Sequence, residues 1–360
     1  MQNTISKKLC SDMRGWWSKK LDSDKKEWEM MKNLRKNKIA DYCKALILPI
    51  VVYLMFRFMS HGLFGDAHGM MVIARQSVVS VLIAWGICMN MQMKMWDMSA
   101  GAVVVLAGIL GGRAMLATNT GLIGLVVLTT IISIILSLLI FVVYHYMRVP
   151  SIVSAVGMLM IYESLTTLLF HAEGVKIRGN VTILARSPYC FMILILYGFL
   201  MYVIFNRTSI GYHVRTIGNN QRISTNIGVS VRDTRFKSFL AEGIMLGMAA
   251  VLSVSNKGGA ASISGMDSMS VSFDALMSVF MGVFLAKYCN LIVGIFLGTI
   301  SMKMLNAGLI SIGLSASLQK VATGVFLILV IGISSNQTRI LQFIENRKKA
   351  KRIIKNTMNS

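Results

Sequence analysis

Charge is what this 360-residue chain has least of. Only 14% of its residues are charged, 55% are hydrophobic, and the mean hydropathy is +0.64. A soluble domain carries charge on roughly a quarter of its residues, so water is excluded as the solvent for most of this chain and a bilayer is implied. Proline is nearly absent, at three residues (Pro49, Pro150, Pro188) against 30 glycines. Glycine suits helices that pack in lipid, where backbones approach closely. The five cysteines are scattered, odd in number and without a CxxC pair, which argues for small buried apolar residues over disulfides or zinc. No GxxxxGK[ST] phosphate loop occurs, so ATP is not cradled by that motif. No cleavable signal peptide is expected, because the first 44 residues are polar and no small-residue cleavage site follows the apolar run 45–59.

The charge that is present is basic and clustered. Residues 1–44 carry 12 Lys/Arg against 6 Asp/Glu, residues 206–237 carry 6 against 1, and residues 339–360 carry 7 against 1. These three segments account for +17 of the net +22. Basic residues beside apolar spans mark cytoplasmic segments and favour anionic lipid. No aromatic-interleaved basic platform is present, so nucleic acid is not an expected partner.

The apolar blocks predict an all-α, polytopic membrane protein with ten spans, at about 20 residues per crossing. They fall near 45–61, 70–93, 99–118, 121–147, 151–170, 189–205, 238–256, 272–286, 289–310 and 315–334. Ten is even, so both basic tails face one side, and six spans precede the basic segment 206–237, which places it on that side too. The domain reading is a basic cytoplasmic tail over 1–44, a transmembrane domain over 45–334 and a basic cytoplasmic tail over 335–360. In the first tail, Trp17, Leu21, Trp28 and Met31 share a helical face, consistent with an interfacial helix or with a solvated tail. The 206–237 segment is long for a connection. It contains an amphipathic helix near Gln221–Ile227, ended by Gly228. A short cytosolic helix carried between two spans is a means of receiving force from a partner.

Polar residues inside apolar spans are costly and mark protein-facing positions. Asp97 with Ser99 precedes the glycine-rich start of span three, at Gly101. Their oxygens suit either a helix cap or a solute pathway at a positive helix end. Phe273 beside Asp274 suits a sugar, with the ring stacking and the carboxylate bonding a hydroxyl; a helix-start acid is the plain alternative. Asn306 is expected to bond a neighbouring helix or the solute. Glu163, Glu242 and Lys303 lie inside spans five, seven and nine, and a glutamate–Lys303 ion pair is expected because an unpaired buried ion is expensive. The alternating methionines of "MNMQMKM" (89–95) would gather on a copper ion only in an extended segment, since a helix scatters them over opposite faces.

Four stretches together resemble the permease subunits of ribose-type, binding-protein-dependent ABC importers. They are "WDMSAGAVVVLAGIL" (96–110), "NRTSIGYHVRTIGNNQRISTNIGVSV" (206–231), "FDALMSVFMG" (273–282) and "LIVGIFLGTISMKMLNAGLISIGLSASLQ" (291–319), in an order that covers most of 70–334. The resemblance implies import of a sugar or related polar solute by alternating access. It implies a second permease copy or paralogue, two ATP-binding cassette subunits, an extracytoplasmic solute-binding protein, and a multi-pass place in the cell membrane. ATP and magnesium would be bound by the partner, with no cofactor and no catalysis on this chain. The coupling helix would lie in 215–231, with Gly218, Asn220, Gln221, Arg222 and Gly228 at the ATPase. Departures from the family pattern are Met95 for a glycine, Arg222-Ile223 for an alanine pair, Glu163, Lys303, and "VFLAKYCN" (283–290) for a glycine-rich turn. The runner-up is an ion-coupled transporter or channel that uses Glu163, Glu242 and Lys303. A membrane enzyme ranks last, because no metal-binding histidine set or paired catalytic carboxylates stand out in the sequence.

Overall fold

A computed structural model describes residues 42–60, 64–147, 149–169, 173–177 and 180–335. The expected interfacial helix around Trp17–Met31 and the basic tail beyond residue 335 lie outside them. Among the described residues, nine helices are long and apolar enough to cross a membrane. They are α1 (Tyr42–Met59), α2 (Ala67–Gln92), α3 (Ala100–Thr118), α4 (Gly121–Met147), α5 (Ser151–Leu168), α6 (Tyr189–Arg207), α9 (Val231–Lys257), α10 (Ser268–Leu285) and α11 (Leu291–Ser311). A further helix, α12 (Ala316–Ser335), coincides with the tenth expected span. Between α6 and α9 lie two short helices, α7 (Ser209–Asn219) and α8 (Gln221–Asn226). The 206–237 segment is thus largely helical, where a loop was expected. Its last residues extend α9 by seven beyond the apolar span.

The bundle is layered around α9, of whose apolar stretch 83% is buried, against 17% for α6 and 22% for α1. Gly243 and Gly247 let α9 lie against α4: a Cβ at either would sit 2.6–2.7 Å from the backbone of Ile134 or Thr130. Small residues four apart form such a face, and in lipid the resulting van der Waals contact is a main source of cohesion. Two buried ring-bearing side chains close their bonds on helix carbonyls. The Trp85 indole donates to the Ile292 carbonyl at 3.0 Å, and the Tyr162 hydroxyl to that of Leu136 at 2.7 Å.

Two connections between helices run as non-helical backbone against the bundle. Residues 93–99 leave α2 by a turn with Lys94 at φ +62°, then run without helix into α3. Residues 261–267 do the same ahead of α10, after a two-strand tie of β1 (Val175–Lys176) to β2 (Gly259–Ala260). Met93, Met95 and Asp97 of the first are buried, whereas residues 261–267 are exposed or half-buried. The turn at 283–290 needs no glycine: the described non-glycine residues with positive φ are Lys94, Asn119 and Met266, all outside it. Asn290 starts α11 there by accepting the Ile292 N–H at 3.0 Å.

Candidate functional site

The N-termini of α3 and α10 meet inside the bundle. Gly101 is needed at that contact, because a Cβ there would lie 2.2 Å from the Ser268 carbonyl oxygen. The Gly101 N–H donates to the Ser272 hydroxyl at 2.8 Å. Two helix N-termini bring two positive dipole ends together, and acids answer them. Glu163 on α5 accepts the backbone N–H groups of Met266 and Ser268, each at 2.7 Å, and also the Ser268 hydroxyl. Thr166, one turn along α5, accepts the Ile263 N–H at 3.1 Å and donates to the Ile263 carbonyl at 3.0 Å. These bonds hold segment 261–267 against α5, including Met266 in the left-handed region at φ +66°, a conformation that costs a β-carbon residue roughly 1–2 kcal/mol.

Asp97 is buried beside this contact. Its Oδ1 accepts the Ser99 N–H at 2.8 Å and the Ser99 hydroxyl. The expected cap of α3 by Ser99 or Asp97 is therefore corrected: the Ser99 side chain makes no cap bond to α3, and a hydroxyl from α10 fills that role. On α9, Glu242 is fully buried and accepts from the Asn90 amide of α2, whose Oδ1 takes the Ser238 hydroxyl at 2.6 Å.

The expected glutamate–Lys303 ion pair is also corrected. Lys303 pairs with Asp274 at 3.1 Å, half-exposed, while Glu163 and Glu242 take neutral hydrogen-bond donors. A lysine on α11 reaches the neighbouring α10, whereas Glu163 is drawn to free N–H groups at the start of α10. Asn306 lies three residues beyond Lys303 on the same helix and is half-buried. Phe273 is 39% exposed. The expected pathway residues therefore form two sets. Asp97, Ser99 and Gly101 are enclosed with Ser272 at the α3–α10 contact, and Phe273, Asp274 and Asn306 belong with Lys303 on α10 and α11. Among what sequence reasoning missed are Ser268, Ser272, Thr166, Asn90 and Ser238. The alternating serines at 268, 270 and 272 were a signal for the first two; the others are single polar residues in helices and gave none.

At one end of the bundle, α7 and α8 form a platform. Arg215 on α7 donates to the carbonyls of Gly211 and Phe205 at 3.1 and 3.3 Å, and its guanidinium lies 4.9–5.2 Å from the Tyr212 and Phe205 rings. Gly218 sits against the end of α2, where a Cβ would be 2.1 Å from the Gln92 carbonyl. Asn220 caps α8 by accepting the N–H groups of Arg222 and Ile223 at 3.0 and 3.2 Å. Gln221 accepts from Arg235 on α9 at 3.1 Å. Of the five expected coupling residues, Gly218 and Asn220 hold the platform together, and Gln221, Arg222 and Gly228 are exposed on it. Gly228, at φ +86°, ends α8 with open space around it. Ile223 and Ile227, one helical turn apart, are 59% and 67% exposed; they were visible in the sequence only as part of an amphipathic pattern.

Two cavities open at opposite ends. One of about 530 Å³ lies where Gln92, Lys94, Arg215, Gly218 and Phe280 meet, beside the platform. The other, of about 650 Å³, is bounded by Arg113, Glu173 and Lys176 at the β1–β2 end. Among the described residues no group of three or more His, Cys, Asp or Glu side chains is placed to hold a metal ion.

Residues 69–331 match the family model described as the branched-chain amino acid transport system permease component. Over 332 residues the chain is 24% identical to the galactose/methyl galactoside import permease protein MglC of Haemophilus influenzae, an alignment that covers 85% of this chain and 98% of that protein.

Proposed function

The chain belongs to the branched-chain amino acid transport system permease component family, and from that membership we infer that it is the membrane permease of an ABC importer for a sugar or related small polar solute. The sugar class is supported by the nearly full-length alignment with the galactoside permease. The observation that carries the coupling mechanism is the platform: a short, capped helix tied to α9 that presents Ile223, Ile227 and Arg222 to solvent. Exposed apolar residues on a basic surface suit a cleft in a second protein. That partner is an ATP-binding cassette subunit, which binds ATP and magnesium and whose closure pushes α8. Because α8 is bonded to α9 and α9 is the most enclosed helix, the push reaches the bundle as a rigid-body motion.

The solute passes where the N-termini of α3 and α10 meet, between an outer mouth at the β1–β2 end and a basic inner mouth beneath the platform. The α7–α8 end is then cytoplasmic, as are both chain termini. A second permease copy or paralogue completes the assembly. A half-exposed ion pair on the outer surface of membrane helices, Asp274–Lys303, suits a protein neighbour or a water-lined path better than lipid. A solute-binding protein delivers cargo from outside. The test is cross-linking from Ile223→Cys and Ile227→Cys to cysteines placed in the cleft of the ATPase. Cross-links from both positions, with none from Phe199→Cys on the lipid-facing side of α6, are expected; none from either platform position rejects coupling at α8.

A further inference from the structure

The cavity of about 530 Å³ beside the platform is walled by three elements. The end of α2 and the turn after it supply Gln92 and Lys94, α7 supplies Arg215 and Asn219, and α10 supplies Phe280. Small-molecule sites span roughly 300–1,000 Å³ and join apolar walls to a few converging polar groups. Here the charge is all of one sign: among the described residues the lining holds two cations, two carboxamides and no carboxylate. The Lys94 ammonium and the Gln92 and Asn219 amides make no hydrogen bond or ion pair with the described residues. The backbone nevertheless fixes where Lys94 stands. Its φ is +62°, a region that disfavours lysine, and its N–H donates to the Met91 carbonyl at 2.9 Å while the Met95 N–H donates to that of Asn90 at 3.0 Å. Arg215 is anchored through Nε and Nη2 and keeps Nη1 uncommitted. The Phe280 ring is steadied by Trp96, with 5.5 Å between ring centroids.

A guanidinium and an ammonium with amide donors beside them suit an oxygen-rich anion, phosphate above all. Phosphate alone would leave the Phe280 ring without a part, whereas a sugar ring has an apolar face to lay on it. We propose that this cavity binds a small phosphorylated sugar, with its phosphate at Lys94 and Arg215 and its ring against Phe280, and that occupancy slows import. The binding half follows from the cavity itself; the cytosolic placement and the regulatory half rest on the transport reading above. Gly218 brings α7 against Gln92, where a Cβ would meet the carbonyl at 2.1 Å, so α2, α7 and α10 converge around the ligand. A ligand that touches all three favours the arrangement in which they stand together and opposes every other that the transport cycle must visit. A sugar that has entered and been phosphorylated carries this chemistry, so the site slows import once cargo has accumulated.

The test is equilibrium binding of radiolabelled glucose-6-phosphate to the full chain in phosphatidylcholine nanodiscs, with glucose and inorganic phosphate as competitors. Saturable binding is expected, with both competitors weaker than the hexose phosphate. Lys94→Asn removes the ammonium and puts at φ +62° a residue that tolerates it, so the fold is kept. Affinity should fall roughly tenfold or more, and Lys94→Arg should retain it. Phe280→Leu should weaken the hexose phosphate and leave inorganic phosphate unchanged. Absence of saturable binding, equal binding by wild type and Lys94→Asn, or inorganic phosphate binding as tightly as the hexose phosphate overturns the proposal. So does loss of the site in phosphatidylglycerol nanodiscs, which would assign the cavity to a lipid headgroup. The second arm is ATP-driven uptake in proteoliposomes that contain the ATPase and binding protein, with the hexose phosphate sealed inside. Uptake should slow in wild type, and the half-inhibiting concentration should rise roughly tenfold in Lys94→Asn. A working importer indifferent to the sealed hexose phosphate overturns the regulatory role. If ATP drives no uptake at all, the transport reading fails, and the binding arm still decides the site.

Discussion

Gly101→Ala places a methyl carbon 2.2 Å from the Ser268 carbonyl oxygen, 3.0 Å from the Ser272 hydroxyl and 3.1 Å from the Ser268 carbonyl carbon. Ordinary contact needs about 3.4 Å, so α3 and α10 must separate by roughly 1 Å, and overpacking of this kind costs about 1–3 kcal/mol. The separation also stretches the Gly101 N–H bond to Ser272, now 2.8 Å, and loss of a buried hydrogen bond adds about 1 kcal/mol. A destabilisation of about 2–4 kcal/mol follows, together with loss of sugar uptake, because the widened contact is the place where the N-termini of α3 and α10 meet on the proposed solute path. Gly157→Ala on α5 is the control: nothing lies within 4 Å of its Cβ, and alanine there should be neutral or stabilise by roughly 0.5–1 kcal/mol. Thermal unfolding of both variants in lipid, with uptake measured at matched membrane levels, reads the difference. Equal melting of Gly101→Ala and Gly157→Ala would refute the reasoning.

Glu163→Gln keeps the shape but removes the charge facing the Met266 and Ser268 N–H groups, and should cost about 1–3 kcal/mol in melting experiments, whereas Glu163→Leu should cost more. Asp274→Ala strands Lys303, and the double variant with Lys303→Ala should be less damaging than the single one, a sign of coupling that a double-mutant cycle on stability measures directly. Gly228→Trp forces a side chain into φ +86° at the end of α8; uptake should fall at unchanged membrane levels, and full uptake would count against the platform. Gly218→Leu should separate α7 from the end of α2 and be detected as faster proteolysis at 208–230.

Much of the fold was legible because a crossing helix is written in hydropathy alone. The fourth span, expected at 121–147, is α4 with those bounds. Span seven was expected to start at 238, but α9 begins at Val231, because a helix that leaves the membrane with Arg232, Asp233, Arg235 and Lys237 loses its apolar signal while Ser230 still caps it. The breaks at 93–99 and 261–267 were half-legible: Asp97 and Ser99 pointed to the first, and the serine alternation near 268 went unused. Charge-pairing logic misplaced Lys303 because it counts ions and ignores backbone. The free N–H groups at the start of α10 answer Glu163 better than an ammonium on α11 does. Asn90 and Ser238 carry no periodic signal, so the polar cluster at Glu242 required the folded bundle to be seen.

The central claim is that force generated by ATP hydrolysis on another subunit enters this chain through α8. Proteoliposomes that hold the permease, its ATPase and its binding protein test it most directly, with labelled sugar outside and ATP sealed within. The account predicts accumulation that requires ATP and stops when Ile223 and Ile227 are both changed to aspartate. Accumulation driven by a sodium or proton gradient with the ATPase left out would contradict it.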